Sequence, residues 1–316
     1  MVGEGLGLFE RFESGGKQEV RILVTGANGM LGTALVPVLQ QHHRVWGVDV
    51  NDCDIRDAGA ILAVLHTHQP DLVIHLAAYT DVDGCEANPQ LAEEANSTGT
   101  WNVATACAEV DAAMFYVSTD YVFDGTKMGP YLEDDLPNPI SAYGRSKWLG
   151  EQHVRAILKR YFIARTSWLY GPHGKNFVST ILRVAHQQEV LRVVNDQHGS
   201  PTYTRHFSLK IAELAATQAY GVYHTTGSGT CSWFEFARTI LELWPVEGVQ
   251  VLAISSDQLG RAARRPANSV LENRALKQAH LELMPHWKVA LAEYLDEIKQ
   301  SGQRRDFEGS KRGTAN

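Results

Sequence analysis

The chain has 316 residues, 44% of them hydrophobic and 21% charged, with a formal net charge of −7. That is enough apolar material for one large or two modest cores, and the negative balance excludes a general polyanion-binding surface, so no nucleic-acid partner is expected. No apolar run approaches the ~20 residues that span a bilayer, so no membrane partner is expected either.

Cys53, Cys85, Cys107 and Cys231 form no C-x-x-C pair and no metal-ligand spacing, the pattern of a reduced, cytoplasmic protein. Residues 1–19 are rich in glycine and charge and lack the apolar core of a signal peptide. Together with residues 301–316 they read as mobile tails.

From residue 20 the chain alternates short β-branched runs with helical patterns. Val20–Thr25 predicts a strand that opens into Gly26-Ala27-Asn28-Gly29-Met30-Leu31-Gly32, followed by a helix to about Gln41. Strand, glycine turn and helix form the context in which a glycine motif binds phosphate. Gly26 permits the tight turn, Gly29 lets a pyrophosphate approach the backbone, and Gly32 allows close helix–strand packing. Pro37 lies within this helix and should kink or shorten it. A second strand, Arg44–Val48, ends at Asp49, where a carboxylate suits the hydroxyls of an adenosine ribose and repels a 2′-phosphate. Asp54 and Ile55 follow in a loop that would flank an adenine.

Asp71–Ala78 is a continuous apolar run, as expected of a central parallel strand, and the small Ala77 and Ala78 leave room for a cofactor. His75 inside it reads as a satisfied core histidine. Leu91–Ala108 predicts a helix on which Asn96 is the unusual polar residue. Ala112–Val117 is a fourth strand ending at Ser118-Thr119, and Tyr161–Leu169 is a fifth. The alternation predicts an α/β fold, a Rossmann-like doubly wound parallel sheet with polar residues at strand C-terminal ends. Beyond Tyr170 the rhythm loosens into a smaller C-terminal region. Helices are expected at Asn176–Gln187, His206–Ala219 and Trp233–Leu243, with short strands near Leu191–Val194, Val222–Thr225 and Val249–Ile254. Arg261, Arg264 and Arg265 form a basic cluster that reads equally as a diphosphate clamp or a solvated turn.

Between the fourth and fifth strands lies Ser141-Ala142-Tyr143-Gly144-Arg145-Ser146-Lys147. If Ser141 caps a helix running to about Arg160, Tyr143 and Lys147 share one face, one turn apart. A phenol titrates near pKa ~10 and needs a nearby cation to donate a proton readily near neutrality. Thr119, at a strand end, would hold a carbonyl oxygen against that phenol.

With these motifs in order, the chain resembles the extended short-chain dehydrogenase/reductases, and within them the dTDP-4-dehydrorhamnose reductase family, over about Arg21 to Leu295. The motifs are TGANGMLG at 25–32, LAAYTDVD at 76–83, STDYVFDG at 118–125, YGRSK at 143–147, RTSWLYG at 165–171, NDQHGSPT at 195–202 and RRPANSVL at 264–271. The resemblance implies reduction of the C4 ketone of a dTDP-linked 6-deoxy sugar with NADPH or NADH. It implies an NAD(P)-binding domain at 20–170 and a mainly substrate-binding region at 171–300, interleaved with the sheet. Gly29, Met30 and Leu31 would line the pyrophosphate, Asp49 the ribose, and Asp54 and Ile55 the adenine. Ala77, Ala78, Tyr79 and Val117 would line the cleft. Tyr143 would protonate the developing alkoxide, and Lys147 would hold the nicotinamide ribose and lower the pKa of Tyr143. Thr119 would orient the ketone, with Asp120 beside it, Trp168 against the sugar, and Arg264 and Arg265 near the diphosphate.

The acidic residue that some members carry in the first turn of the glycine-loop helix corresponds to Ala34 here, so no metal site is predicted, and the resemblance leaves a homodimer open. Arg44 and Arg56 lie close enough in sequence to Asp49 to leave the choice between NADH and NADPH open. A nucleotide-sugar dehydratase or epimerase on the same fold is the alternative enzyme; the dehydratases resemble Thr-Asp-Glu where this chain has Thr119-Asp120-Tyr121. A non-catalytic cofactor-binding subunit, like the regulatory subunit of methionine adenosyltransferase, shares the fold and much of these motifs.

Overall fold

The computed structural model describes residues 19–301, so the expected tails lie almost wholly outside the described residues. Five strands, β1 (Arg21–Thr25), β2 (Arg44–Val48), β3 (Leu72–His75), β4 (Ala113–Thr119) and β5 (Tyr161–Thr166), are joined by Gly221–His224 into one six-stranded sheet. Every pairing in it is parallel. The order runs from Gly221–His224 through β5, β4, β3 and β1 to β2. The chain therefore winds outward from β1 in one direction to β2 and in the other from β3 onward. The point of reversal, between β1 and β3, is where such sheets open a crevice at their carboxyl ends.

Alternation within each strand divides the core between the two faces. Ile22 and Val24 of β1 point to one side, where helix α1 (Met30–Gln40) and helix α8 (Thr204–Ala215) cover them. Leu23 points to the other, under α2 (Ala58–His68), α5 (Gly99–Glu109) and α6 (Ala142–Ile157). The sixth strand and α8 both come from beyond residue 170, so the boundary at 170 divides the chain without dividing the sheet. A separate apolar cluster holds the smaller region together. It is built from Tyr170, helix α7 (Phe177–Ala185), Tyr203, helix α9 (Trp233–Leu243) and helix α10 (Trp287–Ser301).

Four elements differ from expectation. Helix α1 continues past Pro37 to Gln40. Its buried stripe of Leu31, Leu35 and Leu39 explains this, since each buried leucine is worth ~1.5–3 kcal/mol against ~3 kcal/mol for an interior proline. Pro37 is exposed, so Pro37→Ala should restore a helical hydrogen bond and raise stability by about 1–3 kcal/mol in chemical denaturation. Strand β3 ends at His75, three residues early, although the Leu76 N–H still donates to the Thr25 carbonyl at 3.1 Å. Strand β5 ends at Thr166, because Trp168 takes a left-handed conformation with φ of 49°. The predicted helix from Leu91 is also not uniform. Two short helices, α3 (Val82–Ala87) and α4 (Pro89–Glu93), lead into a π-helical turn at Glu94–Thr98, and only then does α5 begin. No helix of the described residues is long and apolar enough to cross a membrane.

Candidate active site

A cleft of about 750 Å³ runs along the carboxyl ends of β1 to β5. Gly26, Gly29, Met30, Leu31, Gly32, Asp49, Asp54, Ile55, Ala77, Ala78, Tyr79, Val117, Thr119, Asp120, Tyr143, Lys147 and Trp168 all border it. The motifs read separately from the sequence thus converge on one surface.

At one end the glycine turn enters α1. Gly26 has φ of +69°, and a Cβ there would fall 2.7 Å from the Ala77 nitrogen, so the turn and β3 can approach only because the side chain is absent. Gly29 caps α1 without any side-chain hydrogen bond, which leaves the N–H groups of the first turn to bind an anion in the field of the helix. Asp49 is fixed beside this turn by the Asn28 N–H at 3.0 Å and the Val50 N–H at 2.8 Å. The next loop is held by the buried Asn102, whose amide donates to the Ile55 and Arg56 carbonyls, each at 3.0 Å. Arg56 forks onto Asp54 at 2.6 and 3.0 Å, and this pairing lowers the Asp54 pKa. Arg44 instead lies 4.9 Å over the Trp46 ring.

Behind the middle of the cleft, His75 is fully buried, as expected of a core histidine. Thr100 donates to the Asn96 carbonyl at 2.7 Å and so accepts from His75 Nε2, leaving Nδ1 to accept from Thr25. Burial lowers the His75 pKa to about 3, with the Lys147 charge adding to the shift, so the imidazole is neutral. Asn96 proves to be a brace. Its amide exchanges hydrogen bonds with the Tyr79 backbone at 2.7 and 2.9 Å and donates to Ser146 Oγ at 3.0 Å, tying the cleft wall to α6.

The far end gathers the buried titratable groups Tyr143 and Lys147. Ser141 caps α6, accepting from the Gly144 N–H at 3.1 Å. A Cβ on Gly144 would lie 2.1 Å from the Tyr121 carbonyl, so glycine lets the helix start close against the end of β4. The Tyr143 ring meets Tyr121 edge-on at 5.9 Å. Burial holds the phenol above its ordinary pKa, and Thr119 is the hydrogen-bonding group that pulls it back. Lys147, expected to lower that pKa, is itself buried, with its ammonium 4.2 Å over the Tyr116 ring. Desolvation lowers its pKa to about 7, opposed by Glu151. Glu151 is wholly buried one turn along α6. Arg165 clasps it at 2.9 and 2.7 Å, and Ser118 donates to it at 2.6 Å.

Trp168 stacks on Trp233 with ring centres 3.4 Å apart, and a Cβ on Gly199 would fall 2.5 Å from its indole ring. The left-handed backbone at Trp168, a strain of roughly 1–3 kcal/mol, is held by this packing and turns the indole to the cleft. Trp233 borders the cleft too and was missed, since its sequence position shows only a helix start. Arg264 and Arg265 do not border it. Arg265 instead grips Asp83 at 3.1 and 2.9 Å beside Arg261, and Arg264 is exposed. Among the described residues no group of three or more His, Cys, Asp or Glu side chains is placed to hold a metal ion.

Residues 20–300 match the family described as RmlD substrate binding domain. The chain is 40% identical over 278 residues to the spore coat polysaccharide biosynthesis protein SpsK of Bacillus subtilis, covering 88% of this chain and 97% of that protein. It is 39% identical over 280 residues to a dTDP-4-dehydrorhamnose reductase of Streptomyces griseus, covering 86% and 92%. A crystal structure of dTDP-4-dehydrorhamnose reductase from Bacillus anthracis in complex with NADP superposes with a TM-score of 0.87 at 40% identity, over 89% of this chain and 100% of that one.

Proposed function

The chain belongs to the RmlD substrate binding domain family, and from that premise we propose that it reduces the 4-keto group of dTDP-4-dehydro-6-deoxy-L-mannose to give dTDP-L-rhamnose, using NADPH or NADH. The observation that carries this reading is the convergence of Thr119, Tyr143 and Lys147 on the same cleft as an uncapped, glycine-opened helix N-terminus. The glycine turn and the first-turn donors of α1 fit a dinucleotide pyrophosphate, and Asp49 fits a ribose diol. When bound, that cofactor supplies the hydride.

The chain's own residues do the rest. Gly26, Gly29, Met30, Leu31 and Gly32 cradle the pyrophosphate, and Asp54, Ile55, Ala77, Ala78, Tyr79 and Val117 shape the walls. Tyr143 presents the proton that a developing alkoxide needs, Lys147 places positive charge beside the phenol and the nicotinamide ribose, and Thr119 holds the ketone oxygen. Trp168, with Trp233 behind it, offers an apolar face to the sugar. Arg265, now balanced by Asp83, and the exposed Arg264 are our candidates for the diphosphate. In this reading residues 20–170 hold the cofactor and residues 171–300 mainly the sugar nucleotide. The names of the relatives support the reaction class, while SpsK leaves the sugar to be decided by assay.

The test follows NAD(P)H absorbance with that 4-keto sugar nucleotide. Oxidation of the cofactor at a rate that depends on the sugar supports the reading. Binding of the dinucleotide with no turnover would replace it by a non-catalytic cofactor-binding role. Asp49 gives a second test. Charge-assisted hydrogen bonds are worth ~1.5–3 kcal/mol, so Asp49→Ala should weaken NADH by about tenfold or more. The same change removes repulsion of a 2′-phosphate, so the NADPH to NADH affinity ratio should rise in calorimetry. An unchanged ratio removes Asp49 from the ribose.

A further inference from the structure

Thr119 Oγ1 is more constrained than a free hydroxyl at a strand end. The Tyr121 N–H donates to it at 3.2 Å, and its own proton goes to Asp120 Oδ1 at 3.0 Å. A hydroxyl has one proton and two lone pairs. As long as Asp120 is a carboxylate, which only accepts, the single Thr119 proton is spent on it and none remains for a substrate carbonyl.

Asp120 is 2% exposed, and its second oxygen, Oδ2, has no hydrogen-bond partner. The nearby Ser269 hydroxyl shares its one proton with the His198 carbonyl, 3.3 Å away. An ionised carboxylate with an orphan oxygen is costly in such a place, whereas a carboxylic acid is not. We propose that Asp120 works as a neutral acid that donates its proton to Thr119 Oγ1, so that the Thr119 hydroxyl is turned to donate to the substrate ketone. This rests on the ketone-reductase reading above and makes Asp120 a positioning residue. No proton leaves the pair: Thr119 accepts from Tyr121 and Asp120, and its own proton, released from the carboxylate, faces the Tyr143 phenol and the ketone.

Burial pushes the Asp120 carboxyl up to about 7, against the opposing pull of the Ser269 and Thr119 hydroxyls. The titratable groups facing it are Tyr121 and Tyr143, both held above their ordinary pKa by burial and so neutral. Arg265 lies beyond Tyr121, with its charge met by Asp83. No cation therefore holds Asp120 ionised. As pH rises through about 7 the acid is lost, the Thr119 proton turns to the carboxylate, and kcat/KM should fall.

The experiment compares the wild type with Asp120→Asn and Asp120→Ala. Infrared difference spectra should show the carbonyl band of a neutral carboxylic acid below about pH 7 in the wild type. That band should disappear above it and be missing from Asp120→Asn. In turnover, Asp120→Ala should lose tenfold or more in kcat/KM. Asp120→Asn, whose amide also donates, should recover much of that loss and flatten the alkaline fall. Absence of the acid band, or an alkaline fall that Asp120→Asn leaves unchanged and that therefore belongs to Lys147, overturns the proposal. An acid band in a protein that does not reduce the sugar refutes the reductase reading and leaves the protonation of Asp120 standing.

Discussion

Tyr143→Phe should lower kcat by about 10²–10⁴-fold, the usual worth of a positioned general acid, and leave dinucleotide affinity intact. Hydride arrival at a ketone builds negative charge on oxygen, and a donor must meet it in the transition state. Tyr143 is the phenol on the cleft beside Thr119, and the phenyl ring of the variant keeps the edge-on packing against Tyr121. The effect should therefore appear in kcat and not in cofactor binding. The pH profile supplies a second check. Lys147 titrates near 7 in the protein alone because burial disfavours its charge. Its cation is present below that value and lost above it, so deprotonation contributes to the alkaline limb of the wild type. Tyr143→Phe should lose the phenol's contribution at every pH. Wild-type turnover in this variant would remove Tyr143 from the chemistry.

Arg165→Met should cost about 3–5 kcal/mol in denaturation, the range for breaking a buried ion pair from one side. Arg165 and Glu151 are both wholly buried, and the guanidinium donates to both carboxylate oxygens. Removing it leaves Glu151 with the Ser118 hydroxyl, the distant reach of Arg155 at 3.9 Å, and the neighbouring charge of Lys147. The paired change Glu151→Leu with Arg165→Met should be far milder than the single one, because it removes both members of the ion pair and leaves neither facing an apolar gap alone. It should nonetheless mark the activity. Glu151 opposes the desolvation that lowers the Lys147 pKa, so its loss should move the Lys147 part of the alkaline limb to lower pH. If the double variant is as unstable as the single one, the pair serves packing and not charge compensation.

What could be read from the sequence was local. Strand, glycine turn and helix at 21–40, the carboxylate ending β2, and Tyr143 and Lys147 on one face of a capped helix each depend on neighbours within a few residues. Backbone geometry makes those neighbours predictable, so these residues were found and the structure gathers them on one cleft. Even the expected shortening at Pro37 was a local reading, and burial of the leucine stripe outweighed it. What only the tertiary structure decided was how charges and proton donors are paired. The cluster at 264–265 reads equally as a diphosphate clamp or a solvated turn, and only the fold sets Asp83 against Arg265. Thr119 reads as a free donor until its proton is seen to be given to Asp120. Nothing in the sequence singles out Glu151 until Arg165 arrives from β5, and Trp233 shows only a helix start until it stacks on Trp168. Such groups are far apart or differently turned along the chain, and only desolvation in the folded cleft makes them choose their partners.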